Sequence, residues 1–231
     1  RGETIKLKVT VIEGMTFRQL LDLLHSTPGI KATTDGLTTQ EAFERLGVEA
    51  AHYEGQFFPD TYLFDGNTTD VALLQKMFEA MQQRLHDAWA NRSGDLQIDT
   101  IEQALILASV IEKESGGDSE RRKISGVFHR RLKLGMRLQA DSTIIYGLGD
   151  AFDGDIKRRD LRFDTPYNSY LHHGLPPTPI ALPGAASINA AVSPEAGDSL
   201  YFVARGDGSH HFSATLQEHN RAVRRYQLGG Q

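Results

Sequence analysis

The sequence predicts an α+β protein: a small α/β unit over residues 1–48, followed over residues 49–231 by a larger, mainly helical domain with a C-terminal β-hairpin. Three observations carry that reading. Ile5, Leu7, Val9 and Val11 alternate with polar residues, the pattern of a half-buried strand. Segments opened by threonine caps then carry apolar residues at helical spacings of three and four. Near the C-terminus, Leu200, Phe202 and Ala204 alternate up to Gly206-Asp207-Gly208, and Ser209 to Ala214 returns, which is a hairpin.

After the first strand, Thr16 and Gln19 form a capping box, each side chain satisfying a backbone N–H of the other. Phe17, Leu20, Leu21 and Leu24 are the buried stripe of the helix it opens. A second box, Thr38 with Glu41, opens a short helix that ends at Gly47. Tyr53 to Phe64 reads as an aromatic, loop-like stretch containing Phe57-Phe58-Pro59-Asp60-Thr61-Tyr62, with the domain boundary near its start. Thr69 then caps a long helix whose stripe of Leu74, Met77, Phe78, Met81, Leu85 and Trp89 is core packing and carries no chemistry. Thr100 and Gln103 form another box before a helix over Ile101 to Glu114, which stops at Ser115-Gly116-Gly117. The next helix runs from Ser119 to Leu134, with Gly135 at its C-terminal cap position. Beyond it the chain reads as loop-rich, through Asp141 to Gly149, Tyr167-Asn168-Ser169-Tyr170 and the proline-dense Gly174 to Ile180. Long loops bearing aromatics and amides carry function. A last helix follows the hairpin over Thr215 to Tyr226.

Composition narrows the function. With 30 acidic and 25 basic side chains among 231 residues the formal net charge is −5, which excludes a strongly basic nucleic-acid wrapper. The longest mainly apolar run, Ala104 to Ile111, is broken only by Ser109 and falls far short of the ~20 residues of a membrane span, so the chain reads as soluble. It starts at Arg1 with neither signal peptide nor initiator methionine and reads as a fragment or processed form. The absence of cysteine excludes disulfides, thiolate metal sites and cysteine nucleophiles.

The helix around Ala104 to Ile111 is apolar over most of its circumference and carries Glu112 and Glu114 into its last turn. At about 100° per residue, Glu112 falls on the side of Leu105 and Ala108, and Glu114 on that of Leu107 and Val110. Both sides are apolar, so periodicity does not rank the two acids. One reading makes both of them solvated end-of-helix carboxylates flanking Lys113. The other holds one against apolar walls, where the protonated form is favoured and the group becomes a general acid near neutral pH. The helix macrodipole works in the same direction.

Other constellations carry less. The histidine pairs His172-His173 and His210-His211, with His219, lack the i, i+4 spacing of a helical zinc pair, so no metal site is expected. No Gly-rich phosphate loop and no Gly-x-Ser-x-Gly elbow is present. The basic run Arg121, Arg122, Lys123, Arg130, Arg131, Lys133 and Arg137 reads as a solvated helix face.

The segments Leu107-Ala108-Ser109-Val110-Ile111-Glu112-Lys113-Glu114-Ser115 and Arg131-Leu132-Lys133-Leu134-Gly135-Met136-Arg137-Leu138-Gln139-Ala140-Asp141-Ser142-Thr143-Ile144-Ile145-Tyr146-Gly147 closely resemble the MltG (YceG-like) endolytic murein transglycosylases. Glu54-Gly55-Gln56-Phe57-Phe58-Pro59-Asp60-Thr61-Tyr62, the Tyr167 to Tyr170 box, Gly174-Leu175-Pro176-Pro177, and His210, Phe212 and His219-Asn220 are similar to that family in the same order. The resemblance covers essentially the whole chain. Two positions depart from it: Ser142, where the family commonly has Pro, and Thr178, where it commonly has Gly.

The resemblance implies a lysozyme-like catalytic domain that cleaves the β-1,4 bond between N-acetylmuramic acid and N-acetylglucosamine within peptidoglycan strands, leaving a 1,6-anhydromuramyl end. It implies a lyase with no metal and no cofactor. The family's essential glutamate falls on Glu114, as general acid and then base, and Gln139, Asp141, Tyr146, Tyr167, Asn168, Tyr170, Leu175, Pro176 and Pro177 are expected to line the sugar cleft. Asp141 reads equally well as a helix cap, and His210 and Asn220 as ties between hairpin and helix. Members usually carry an upstream membrane helix and a LysM-like module, so the resemblance implies the periplasm-facing part of a single-pass inner-membrane protein, working near peptidoglycan synthases. Residues 1–48 are not a complete LysM. Two other readings stay open: a muramidase in which water attacks, and a noncatalytic peptidoglycan-binding module in which Glu114 is structural. A nucleic-acid or membrane-surface binder comes last.

Overall fold

The computed structural model describes residues 6–229, so Ile5 lies outside the described residues. From Leu7 onward the expected alternation is present: β1, Leu7–Thr10, buries Val9 and turns Lys8 and Thr10 outward. β1 pairs antiparallel with β3, Thr61–Phe64, placing Val9 opposite Tyr62. The stretch expected to be a loop therefore ends in a strand. Thr61-Tyr62-Leu63-Phe64 is β-branched and aromatic, and Pro59 just before it obscured the run. α1, Phe17–Ser26, and α2, Thr39–Glu44, both begin at complete capping boxes, and Phe17, Leu20, Leu21 and Leu24 are buried as the pattern requires. β2, Ile30–Lys31, pairs parallel with β4, Thr68–Thr69.

The apolar core of this first layer crosses residue 48. Val9, Phe17, Leu20 and Leu24 pack with Phe57, Phe64 and Leu74, and with Leu182 from far along the chain. Phe57 stacks on Phe17 with ring centroids 4.7 Å apart. α3, Asp70–Ala90, is capped by Thr69 and at 21 residues is about 31 Å long. Its first half gives Leu73, Leu74 and Met77 to this core, and its second half gives Met81, Leu85 and Ala88 to a second one. Phe78 and Trp89 of the expected stripe sit at the margins, half-buried.

The second core surrounds α4, Ile101–Glu114, in which every residue from Ala104 to Ile111 is buried. Thr100 caps it, but the Gln103 side chain accepts from the Asp99 N–H, so only half of the expected box forms. α4 packs against α3, against α5, Arg121–Lys133, which follows a 3₁₀ turn over Asp118–Glu120, and against α7, Ala185–Val192. α7 is unanticipated: its alanines form no contrasting stripe, yet Ala190 and Ala191 are buried and let it lie close along α4.

Two further expectations are corrected. Asp141 to Gly149 is not a loop: α6 spans Asp141–Leu148, and it buries the polar Ser142 and Thr143 with Ile144, so no apolar stripe marks it. The basic run is not simply a solvated face, since Arg121 and Arg131 are buried. Arg131 donates to the carbonyls of Leu200 and Leu138, both at 2.7 Å, Arg130 to Ser199 at 2.7 Å and Arg122 to Ser193 at 2.9 Å. These guanidinium forks fasten the later, irregular chain to α5. The hairpin of β5, Tyr201–Ala204, and β6, His210–Ser213, and the helix α8, Leu216–Tyr226, follow as expected, and α8 in addition opens on a complete Thr215–Glu218 capping box. Among the described residues no helix is long and apolar enough to cross a membrane.

Candidate active site

The two acids at the end of α4 separate in role, and neither is a freely solvated carboxylate. Glu112 has a side chain only 6% exposed; it accepts from Arg121 at 3.1 Å and from the Gly184 N–H at 3.0 Å, tying α4 to α5 and to the start of α7. Glu114 is the last residue of α4, and a single oxygen, Oε1, accepts from both the Ser142 N–H at 3.1 Å and the Ser142 hydroxyl at 2.6 Å. Oε2 has no hydrogen-bond partner among the described residues. Burial pushes the Glu114 carboxyl above its ordinary range, the Ser142 bonds pull it back, the nearby Asp141 charge raises it and His210 lowers it. The outcome is a carboxyl that holds its proton further towards neutral pH than a free glutamate does.

α6 organises the surroundings. Asp141, in its first turn, is exposed and accepts from the Tyr170 hydroxyl at 2.7 Å. One turn beyond Ser142, Tyr146 lies edge-on to Tyr167 with centroids 4.8 Å apart and donates from its hydroxyl to Glu54 Oε2 at 3.1 Å. Glu54 is 3% exposed, and its Oε1 also accepts from the N–H groups of Phe17, at 2.9 Å, and Gly55, at 3.3 Å. Burial pushes this carboxyl up to about 7 against those bonds and the charge of His52. Gly55 holds the turn with φ of +80°, and a Cβ there would meet the Pro179 ring. Between the layers lies a cleft of about 770 Å³, with Tyr146, Tyr167 and Ser142 on one side and Thr16, Arg18 and Gln19 on the other. Glu114 adjoins it through Ser142, its partner, and Lys113, its neighbour.

Of the residues expected to contact sugar, Tyr146 and Tyr167 line this cleft, while Asp141 and Tyr170 flank Glu114. Gln139 is exposed, with φ of +50°, and its N–H donates to the Ser169 carbonyl at 3.1 Å. Asn168 is fully buried: its amide donates to the Phe163 and Leu161 carbonyls at 2.8 and 3.3 Å and accepts from the Tyr170 N–H at 2.9 Å. Leu175 packs against the second core, Pro176 is buried and Pro177 is exposed. Glu54 and Ser142 stand in the quoted motifs, but no periodicity pointed to their roles.

The histidines scatter into separate settings. His172 pairs with Asp164, His173 with the Gly135 carbonyl and His210 with Glu120, while His219 stacks on Tyr201 at 5.2 Å. Among the described residues no three His, Cys, Asp or Glu side chains form a group that holds a metal ion.

The site thus sets two desolvated glutamates, Glu114 and Glu54, beside an aromatic, polar cleft in a mainly helical α+β fold. The YceG-like family model matches residues 1–225, and the chain belongs to that family. It is 37% identical over 175 residues to the endolytic murein transglycosylase of Bacillus subtilis (strain 168), covering 75% of this chain and 48% of that protein. The same-named protein of Streptococcus pneumoniae serotype 2 (strain D39 / NCTC 7466) is 33% identical, with 74% of this chain and 31% of that one covered. The chain thus spans half or less of these curated relatives. The crystal structure of a putative yceG-like protein from Listeria monocytogenes superposes with a TM-score of 0.74 at 30% identity, over 93% of this chain and 75% of that one.

Proposed function

We propose that this chain carries the catalytic part of an endolytic murein lytic transglycosylase, with Glu114 as its acid and base. The protonated carboxyl gives its proton to the glycosidic oxygen between N-acetylmuramic acid and N-acetylglucosamine. As carboxylate it then receives the proton of the muramyl C6 hydroxyl while that oxygen closes on C1, leaving a 1,6-anhydro end. The 2-acetamido group assists the intermediate stage. One carboxyl serves both steps, unlike the paired acids of most glycosidases, provided water is kept from competing with C6.

The observation that carries this reading is the state of Glu114: desolvated, oriented through Oε1 by Ser142, and with Oε2 left for substrate. The aromatic wall of Tyr146 and Tyr167 suits N-acetyl sugars, and Asp141 with Tyr170 stands on the other side of the acid. In this reading Asn168 and the Leu175-Pro176-Pro177 loop shape the cleft from behind, and Gln139 meets the strand at its rim. As the sequence resemblance implies, this reading sets the chain on the periplasmic face of the inner membrane, beside peptidoglycan synthases.

The test is mass spectrometry of soluble products from purified sacculi incubated with the protein and with its Glu114→Gln variant. Anhydromuramyl ends that vanish with the variant are the expected result. Reducing ends mean that water attacks and the protein is a muramidase. Sacculus binding without products from either chain means a binding module, or a catalytic part that needs the remainder of a longer protein.

A further inference from the structure

A second pair of titratable groups adjoins Glu114 and has no part in the mechanism above. Glu120 accepts from the His210 backbone N–H at 3.0 and 3.1 Å and from the ring Nδ1–H at 2.8 Å, so one carboxylate fixes both the main chain and the imidazole. The ring packs edge-on against Phe202 at 5.4 Å, and the two side chains are 13% and 15% exposed. With Nδ1 committed to Glu120, Nε2 is left with no hydrogen-bond partner among the described residues. The hairpin is seated so that this happens at the end of α4. Gly116 lies against the turn so closely that a Cβ there would stand 2.1 Å from the Gly208 carbonyl oxygen. His210 accordingly stands near enough to Glu114 to act on its carboxyl electrostatically. Glu114 and Glu120 are the charged groups facing this ring from α4 and the 3₁₀ turn, and Lys123 of α5 stands over the neighbouring Phe212. Securing a hairpin needs Nδ1 alone. A histidine held by a carboxylate with its other nitrogen free beside a catalytic acid has the geometry of an oriented base.

We propose that His210, positioned by Glu120, is a second catalytic residue that relays the proton in the second step: in place of direct transfer to Glu114, its Nε2 takes the proton of the muramyl C6 hydroxyl and passes it on to the Glu114 carboxylate, which remains the final acceptor. This rests on the lytic transglycosylase reading above. Glu114 protonates the glycosidic oxygen, the C1–O bond breaks and its electron pair stays with the departing N-acetylglucosamine oxygen. The C6 oxygen bonds to C1, its proton goes to Nε2, and the imidazolium faces the Glu120 carboxylate. Transfer of that proton to the Glu114 carboxylate restores both groups, with nothing consumed.

His210→Asn separates the two roles, because the Asn amide keeps an N–H donor where Nδ1 stood and removes Nε2. Assayed on sacculi well below its melting midpoint, this variant is expected to keep anhydromuramyl products and a KM within about twofold, while kcat falls on the order of 10²-fold. Its pH–rate profile loses the limb that belongs to the base. Glu120→Gln, which keeps an acceptor but no charge, gives an intermediate loss. A His210→Asn protein with kcat within about threefold of wild type and an unchanged pH profile overturns the proposal. Wild-type protein that yields reducing ends, or activity that survives Glu114→Gln, instead overturns the functional reading beneath it.

Discussion

Ser142 puts two donors on one oxygen of Glu114 and leaves the other oxygen open, so a single side chain both orients the acid and moderates its proton affinity. Replacing it by Ala removes the hydroxyl bond, which favours the carboxylate. The Glu114 pKa then rises further, because burial and the Asp141 charge act with less opposition. Activity in the proposed mechanism requires the protonated acid. The alkaline limb of the pH–rate profile of Ser142→Ala therefore moves to higher pH, and a limb that stays in place or moves down refutes this account. The choice of Glu114 over Glu112 was not legible from helical periodicity, which put both on apolar sides; the resemblance made it. The positions of the partners along the chain explain why. Arg121 and Gly184 claim Glu112 from distant points of the chain, and Ser142 reaches Glu114 from 28 residues away. Asn168 was unreadable for the same reason, since an amide in a loop motif looks available until its carbonyl partners close around it.

At the scale of elements, structure set by neighbouring residues is legible in the sequence and structure set by distant ones is not. α1, α2 and α8 begin where Thr and Gln or Glu stand three apart, because a capping box is complete within four residues. α6 and α7 lack such signals and are stabilised by what they pack against, α7 by α4 above all. The start of α3 adds a tie that no local pattern discloses. Asp70, fully buried in its first turn, accepts from the N–H and hydroxyl groups of Thr33 and Thr34 and joins that turn to the helix. Burial raises its carboxyl, but these bonds and the Val71 N–H outweigh it and hold the pKa at about 2. Its contribution is thus fully present above the unfolded value of 3.8 and is lost as pH falls through about 2. Urea unfolding of Asp70→Asn at neutral pH is expected to show a loss on the order of 2 kcal/mol, a difference that shrinks between pH 4 and pH 2. A deficit that persists unchanged at pH 2 assigns the loss to packing instead.

At the scale of the molecule, the cleft depends on how two cores are joined. α3 runs through both, and Leu182 returns from the helical part into the N-terminal core. Glu54 is the polar member of this junction: its carboxylate takes the Phe17 N–H at the start of α1 and the Tyr146 hydroxyl from α6, so it spans the cleft it helps to line. Its pKa, raised from 4.5 to about 7 chiefly by burial, makes this junction work against folding once the group ionises. The stabilisation is full below pH 4.5 and is lost as pH rises through about 7. Glu54→Gln keeps an oxygen for the Phe17 and Gly55 N–H groups and turns its amide towards the Tyr146 hydroxyl, with no charge to bury. The variant is expected to match wild type near pH 4.5 and to exceed it at pH 8 by on the order of 2 to 3 kcal/mol in urea unfolding. If the two chains keep the same stability difference at both pH values, Glu54 is already ionised throughout and its bonds outweigh its burial. In the proposed function this costly acid is retained because its oxygen accepts from the Tyr146 hydroxyl and so sets the ring against the cleft; a Gln amide meets that hydroxyl only by reversing the bond, so the same variant should raise KM for glycan strands while leaving the Glu114 limb of the pH profile in place.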